Sequence, residues 1–191
     1  MSVRIEITEY DGIYFITITC SRWLHLFELA NGYEEVYKWF DHLKSKGHYI
    51  VGYVIMPNHI HALIGFRNTQ GVSINSIGGE GKRFMSYGIV KRLKDKNEHE
   101  VLAGLSIQVN DTDRKRGKLH VVFEPSFDWK ECRSNKFIDQ KLEYIHANPC
   151  HEVWNLVKEE YEYKHSSAKY YQTGEQGVYI ITNYAELETS T

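Results

Sequence analysis

The order of elements in the sequence predicts an α+β fold: a ferredoxin-like (RRM-like) antiparallel sheet with helices on one face, followed by a further helix and a C-terminal tail. Three observations carry this. Residues 13–19, Ile-Tyr-Phe-Ile-Thr-Ile-Thr, are rich in β-branched and aromatic types and alternate with a strand's period. Two apolar runs, Tyr49–Ile55 and His59–Phe66, are separated by a corner at Pro57-Asn58, so they read as neighbouring strands. Two stretches with helical spacing, Ala30–Lys46 and roughly Lys82–Lys94, follow the first strand and the third. With a fourth strand expected at Leu119–Phe123, this is the strand, helix, strand, strand, helix, strand order of that fold.

Each element has a local reason. Ala30–Lys46 places Tyr33, Val36, Tyr37, Phe40 and Leu43 on one face and ends before Gly47. A polar loop is expected at Arg67–Gly71. Gly78-Gly79-Glu80-Gly81 is expected to interrupt the chain, with the second helix starting after it and turning Phe84, Ile89 and Leu93 inward. These glycines lack the spacing and terminal Ser or Thr of a Walker loop. The stretch 97–118 is the least ordered in aspect. Ser134 or Asn135 can cap a helix over Lys136–Asn148 that stops at Pro149, with Ile138, Leu142 and Ile145 on its buried stripe. Residues 1–172 then form one domain, and 173–191 a tail whose Val178–Ile181 could add a strand.

With 191 residues the chain is long enough for one domain with a real core. It has no apolar run of membrane-spanning length, and Met1–Tyr10 lacks a secretory pattern, so a cytoplasmic protein with no membrane contact is expected. Three cysteines, Cys20, Cys132 and Cys150, have no paired spacing and fit reduced thiols. A formal charge of −2 excludes a protein that simply coats nucleic acid, so any nucleic-acid surface is local. Two basic groups qualify: Lys82, Arg83, Lys91 and Arg92, and the cluster Arg114-Lys115-Arg116-Gly117-Lys118. A solvated helix face and a basic loop are the plainer reading of the same charges.

His59 and His61 stand one residue apart at the start of the third strand. Strand side chains alternate between faces, so the two imidazoles project the same way while Ile60 and Ala62 turn to the core. Two adjacent imidazoles can share a metal ion, although a two-ligand site is incomplete; the plainer reading is two satisfied strand histidines. On the helix that ends at Pro149, Tyr144 and Asn148 are four apart and share a face beside the buried stripe, with Lys141 one turn back. A half-buried tyrosine and a C-cap would explain these without chemistry. Pro149 biases Asn148 away from the α region.

Taken together, Pro57-Asn58-His59-Ile60-His61 and, some eighty residues later, Tyr144-Ile145-His146-Ala147-Asn148-Pro149 resemble the motifs of the REP-associated tyrosine transposases, a branch of the single-tyrosine HUH insertion-sequence transposases. The tail elements Leu156-Val157 and Tyr163 to Ala168, with Ser166-Ser167-Ala168, are similar to that branch too, and the resemblance covers about residues 12–172. It departs at Phe123–Trp129, where a Trp-Gln stretch is usual, and at Cys150, where Val is common. The resemblance implies that His59, His61 and Asn148 are metal ligands and Tyr144 the nucleophile, on a tyrosine helix beside the sheet. It implies a homodimer acting on single-stranded or hairpin DNA, nicking and rejoining it through a 5′-phosphotyrosine.

The chemistry suits such a set. Three neutral N and O ligands leave a divalent ion its full charge, which fits Mg²⁺ or Mn²⁺ better than a closed structural zinc site. A phenol is almost wholly protonated at neutral pH, so a neighbouring charge must help, and Lys141 is the candidate. Tyr161, Tyr163 and Tyr170 are candidates to stack on unpaired bases. Two other readings use the same residues: a non-catalytic module that binds single-stranded nucleic acid on this sheet, and a zinc protein built on His146, Cys150 and His151 with one of the sheet histidines, whose spacing matches no zinc pattern.

Overall fold

Strand β1 (Gly12–Thr19) is the hinge of the sheet. In the structure, a computed structural model describing residues 11–68 and 73–188, it pairs on one side with β3 (His59–Phe66) and on the other with β4 (Asp128–Glu131). Strand β2 (Tyr49–Met56) pairs with the far edge of β3, giving the antiparallel order β2-β3-β1-β4 of a ferredoxin-like sheet. The expectations for Met1–Tyr10 and for most of the loop at 67–71 lie outside the described residues.

Alternation divides the sheet into two apolar faces. Tyr14, Ile16 and Ile18 of β1, with Ile60, Ala62 and Ile64 of β3, are buried against two helices, α2 (Tyr33–Ser45) and α3 (Ile74–Asp95); a one-turn helix α1 (Leu26–Leu29) precedes them. On the other face Phe15, Val51, Val54 and Leu63 pack against Ile138, Leu142 and Ile145 of α6 (Asn135–Ala147). The stripe expected on that helix is therefore the buried one. Helix α6 lies across this second face.

Several boundaries differ from expectation for physical reasons. Leu119–Phe123 is not a strand: Val121, Val122 and Phe123 are all buried, without alternation, and only Phe123 bridges to β1's end at Cys20. Pro125 has no N–H to extend such pairing, and the chain rejoins the sheet at Asp128. The glycine run lies inside α3 and does not interrupt it. A Cβ at Gly78 would stand 2.8 Å from the Phe127 ring, and one at Gly81 2.4 Å from the Trp39 indole, so these glycines let aromatic rings press on the helix axis. Phe84 is half-exposed and Met85 takes the inward position beside Ile89 and Leu93. The 97–118 stretch holds two short helices, α4 (His99–Ile107), anchored by Leu102 and Leu105, and α5 (Asp111–Lys115), which buries no side chain.

The tail is part of the core. Ile55 N–H donates to His165 O at 2.8 Å and Ser167 N–H to Tyr53 O at 2.9 Å, so the chain covers the open edge of β2 before helix α7 (Ala168–Thr173). Tyr179 and Ile181 are buried, and Thr182 N–H donates to Ile50 O at 2.8 Å. The strand expected at Val178–Ile181 does not form; that single bond is followed by α8 (Tyr184–Glu188), with residues 189–191 outside the described ones. Cys20, Cys132 and Cys150 are free thiols. Among the described residues no helix is long and apolar enough to cross a membrane.

Candidate metal and tyrosine site

The register of β1 against β3 sets the site. Thr17 stands opposite His61 and Thr19 opposite His59, so the two imidazoles emerge on the face that carries α6. Their ring centroids are 4.7 Å apart and both are buried. The Phe15 ring stacks on His61 at 5.3 Å, and the tyrosine helix brings Tyr144 to 5.3 Å from His61 and 6.2 Å from Phe15. Lys141, one turn earlier, holds its Nζ 4.5 Å from the Phe15 ring and 5.4 Å from that of Tyr144. Tyr144 is 47% exposed, although Leu142 and Ile145 of the same helix are buried.

Hydrogen bonding decides which imidazole atoms are available. Asn58 Nδ2 donates to Trp23 O at 3.2 Å, which turns its Oδ1 towards His59 Nδ1, 2.6 Å away. A carboxamide oxygen only accepts, so the proton sits on Nδ1 and the lone pair of His59 is on Nε2. Thr17 Oγ1 lies 2.9 Å from His61 Nδ1, engaging the equivalent atom. Both Nε2 atoms are left for a ligand. Burial pushes His59 down to about 4, and burial, with the His59 and Lys141 charges, pushes His61 down to about 3. Two neutral imidazoles with engaged Nδ1 atoms and free Nε2 lone pairs are chemically suited to a divalent cation, as part of a larger ligand set.

Asn148 does not leave the α region before Pro149. Its φ of −50° and ψ of −48° continue α6 into a 3₁₀ turn over Asn148–Cys150, because its side chain caps the helix, Nδ2 donating to Tyr144 O at 3.0 Å. The nitrogen being engaged, Oδ1 is the side-chain atom of Asn148 that keeps lone pairs to offer. His146 is turned elsewhere: its Nε2 lies 2.8 Å from Ser167 Oγ, which also accepts from Tyr53 N–H at 2.9 Å. That bond ties the tyrosine helix to the tail and to β2, and among the described residues no three His, Cys, Asp or Glu side chains gather as the zinc reading requires.

His59, His61 and His146, pushed down to about 4, 3 and 4, all have folded values below the ordinary histidine value near 6.5. The unfolded chain binds more protons between those limits, so stability is intact above about pH 6.5 and falls as pH drops towards 4, by up to ~1.4 kcal/mol per pH unit for each fully titrating histidine. Melting curves without added metal should show a temperature that declines steeply between pH 6.5 and 4.5. A melting temperature flat across that window would contradict buried neutral histidines.

The candidate DNA contacts separate into two kinds. Arg92 is engaged inside the fold, with Nε donating to Glu35 at 2.9 Å and Nη2 to Glu34 at 2.7 Å across the α2–α3 contact. Lys82 donates to the carbonyls of Glu124 and Pro125, and burial pushes it down to about 8. Arg114 holds the carbonyls of Ser106 and Val109. Arg83, Lys91, Lys115 and Arg116 are exposed. Arg83 and Arg116, with Lys94 and Lys118, rim a cleft of about 660 Å³ between α3 and residues 116–125. Among the tail tyrosines, Tyr163 is part-buried and donates to Ile55 O, and Tyr170 packs on the core; Tyr161 remains exposed. Sequence reasoning missed Phe15, Thr17 and Trp23 as parts of the site, because only the β1–β3 register and the turn after β1 bring them here, and it placed Ser167 in the tail motif without its bond to His146. Asn58 was visible inside the histidine motif.

No protein-family model and no curated protein matches the sequence. A solved REP-associated tyrosine transposase, bound to a REP hairpin in its structure, superposes with a TM-score of 0.61 over 95% of this chain and 100% of its own, at 17% identity. A transposase candidate from Deinococcus radiodurans R1 aligns at a TM-score of 0.40 and 16% identity, over 76% of this chain and 95% of its own. The fold is that of a REP-associated tyrosine transposase.

Proposed function

We propose that the chain is a single-tyrosine DNA strand-transfer enzyme that cleaves and rejoins single-stranded DNA flanked by hairpins, working as a homodimer with Mg²⁺ or Mn²⁺. The observation that carries this reading is the half-exposed Tyr144 beside two buried, neutral histidines whose Nδ1 atoms are both engaged. The whole-chain likeness to a hairpin-bound tyrosine transposase supports it.

His59, His61 and Asn148 would hold the ion, which when bound supplies Lewis-acid stabilisation to a phosphate oxygen. Tyr144 Oη forms the new bond to phosphorus as the bond to the 3′-oxygen breaks; the phenol proton passes to water and the departing 3′-oxygen takes one up. The product is a 5′-phosphotyrosine and a free 3′-hydroxyl. Because the link keeps the phosphodiester energy, a second strand's 3′-hydroxyl reverses the step and is joined. Phe15, stacked on His61 and edge-on to Tyr144, keeps water from one side of both rings. Lys141 presents its charge beside the phenol ring and assists the attack. The exposed cations Arg83, Lys91, Lys115 and Arg116 provide phosphate contacts and a salt-dependent affinity.

Hairpin oligonucleotides with single-stranded flanks, incubated with the protein and Mn²⁺ or Mg²⁺, should give a covalent protein–DNA band on a denaturing gel that chelator abolishes. Salt-sensitive binding with no such band across many hairpins would overturn strand transfer and leave a binding module. Lys141→Gln should slow formation of the band by about ten-fold or more, with Lys141→Arg recovering part of the rate. An unchanged rate in Lys141→Gln would remove Lys141 from the reaction.

A further inference from the structure

At the end of β1 the chain does something that residues with side chains avoid. Arg22 has φ of 54° and ψ of 27°, and Trp23 has φ of 58°, two consecutive left-handed residues, neither of them glycine, asparagine or aspartate. The conformation is over-determined by its surroundings. Ser21 N–H donates to Val122 O at 2.8 Å, Arg22 N–H to a Glu124 carboxylate oxygen at 2.7 Å, and Trp23 O accepts from Asn58. A backbone pinned this way at an unfavourable angle commonly marks a functional position.

The result is a particular presentation of two side chains. Trp23 is 62% exposed, yet its ring centroid is only 6.0 Å from that of His59. Arg22 beside it is exposed, and among the described residues its guanidinium makes no hydrogen bond or ion pair. The second indole near His59, Trp154 at 5.8 Å, differs: it is part-buried against the apolar cluster under α6, so it packs the fold. An exposed tryptophan contributes nothing to the core. Here the same backbone that displays it also fixes, through Asn58, the tautomer of His59.

We infer that Trp23 is a stacking platform for one unpaired DNA base next to the phosphate held at the histidine pair, with Arg22 contacting a neighbouring phosphate. The inference rests on the strand-transfer reading above and adds the positioning of its substrate. An indole face accepts any base, and an adjacent guanidinium matches the spacing of base and backbone along a single strand. The bonds from Ser21 and Arg22 to Val122 and Glu124 join this platform to residues 116–125, which line the cationic cleft.

The test uses full-length Tyr144→Phe protein, which binds without reacting, and hairpin oligonucleotides carrying 2-aminopurine at each flank position in turn. Trp23 should quench one position, and Trp23→Ala should restore its fluorescence and weaken flanked-hairpin binding by about 5- to 100-fold. Flankless hairpins should bind unchanged, and Trp23→Phe should retain most of the affinity. In otherwise wild-type protein, Trp23→Ala should slow adduct formation on normal DNA but not on DNA abasic at that position. Equal quenching with and without Trp23 would overturn the platform, as would an altered oligomeric state with unchanged DNA binding. If wild-type protein forms no adduct while Trp23-dependent quenching persists, the platform stands and strand transfer fails. The converse result retires the platform alone.

Discussion

Tyr144→Phe protein is expected to form no covalent adduct with hairpin DNA while folding and binding as the wild type does. The substitution removes one oxygen from a half-exposed ring, and among the described residues that hydroxyl has no hydrogen-bond partner, so no buried group is orphaned. The ring itself remains against His61 and Phe15. A fall in adduct to below detection, with hairpin affinity within about two-fold of wild type and an unchanged melting temperature, isolates the nucleophile from every other role. Adduct formation by Tyr144→Phe at even a tenth of the wild-type rate would mean that another residue makes the bond. Tyr161, exposed in the tail, would be the next to replace.

What could be read in the sequence, and what could not, follows the range of the forces involved. Strand β1, the corner before His59, the α6 stripe and the pairing of His59 with His61 on one face are local consequences of periodicity and turn chemistry. Lys141, Tyr144 and Asn148 share a helix face for the same reason. The meeting of that helix with the histidines is not local; it depends on Phe15 and Leu63 facing Leu142 across the second sheet face, and the motif resemblance supplied it where spacing could not. The failures have one pattern. Gly78 and Gly81 look like breakers in isolation, but contact with Phe127 and Trp39 makes their missing side chains the condition for packing. Arg92 and Lys82 look like phosphate contacts until Glu34, Glu35 and the carbonyls of residues 124–125 are seen to engage them. Charge is legible in a sequence; its partners 42 to 58 residues away are not.

The second large effect belongs to the histidine pair. His59→Ala/His61→Ala should lose both adduct formation and binding of Mn²⁺ itself, followed calorimetrically without DNA. Wild-type protein should melt at a rising temperature as Mn²⁺ is added, since a ligand bound only by the folded state stabilises by RT ln(1 + [L]/Kd); the double variant should show no rise. Truncating His61 also leaves a gap beside Phe15 that costs stability in its own right, so the metal-dependent shift is the diagnostic quantity, and the baseline melting temperature is not. Protons compete with metal for Nε2, yet burial has pushed the two histidines down to about 4 and 3. Metal binding should therefore persist to near pH 5, where an ordinary pair of exposed histidines would be largely protonated. A wild-type Mn²⁺ affinity that collapses between pH 7 and 6 would contradict burial of the pair. Retention of the metal-dependent shift in the double variant would place the ion elsewhere, and the role assigned to the pair, orienting a cation beside Tyr144, would go with it.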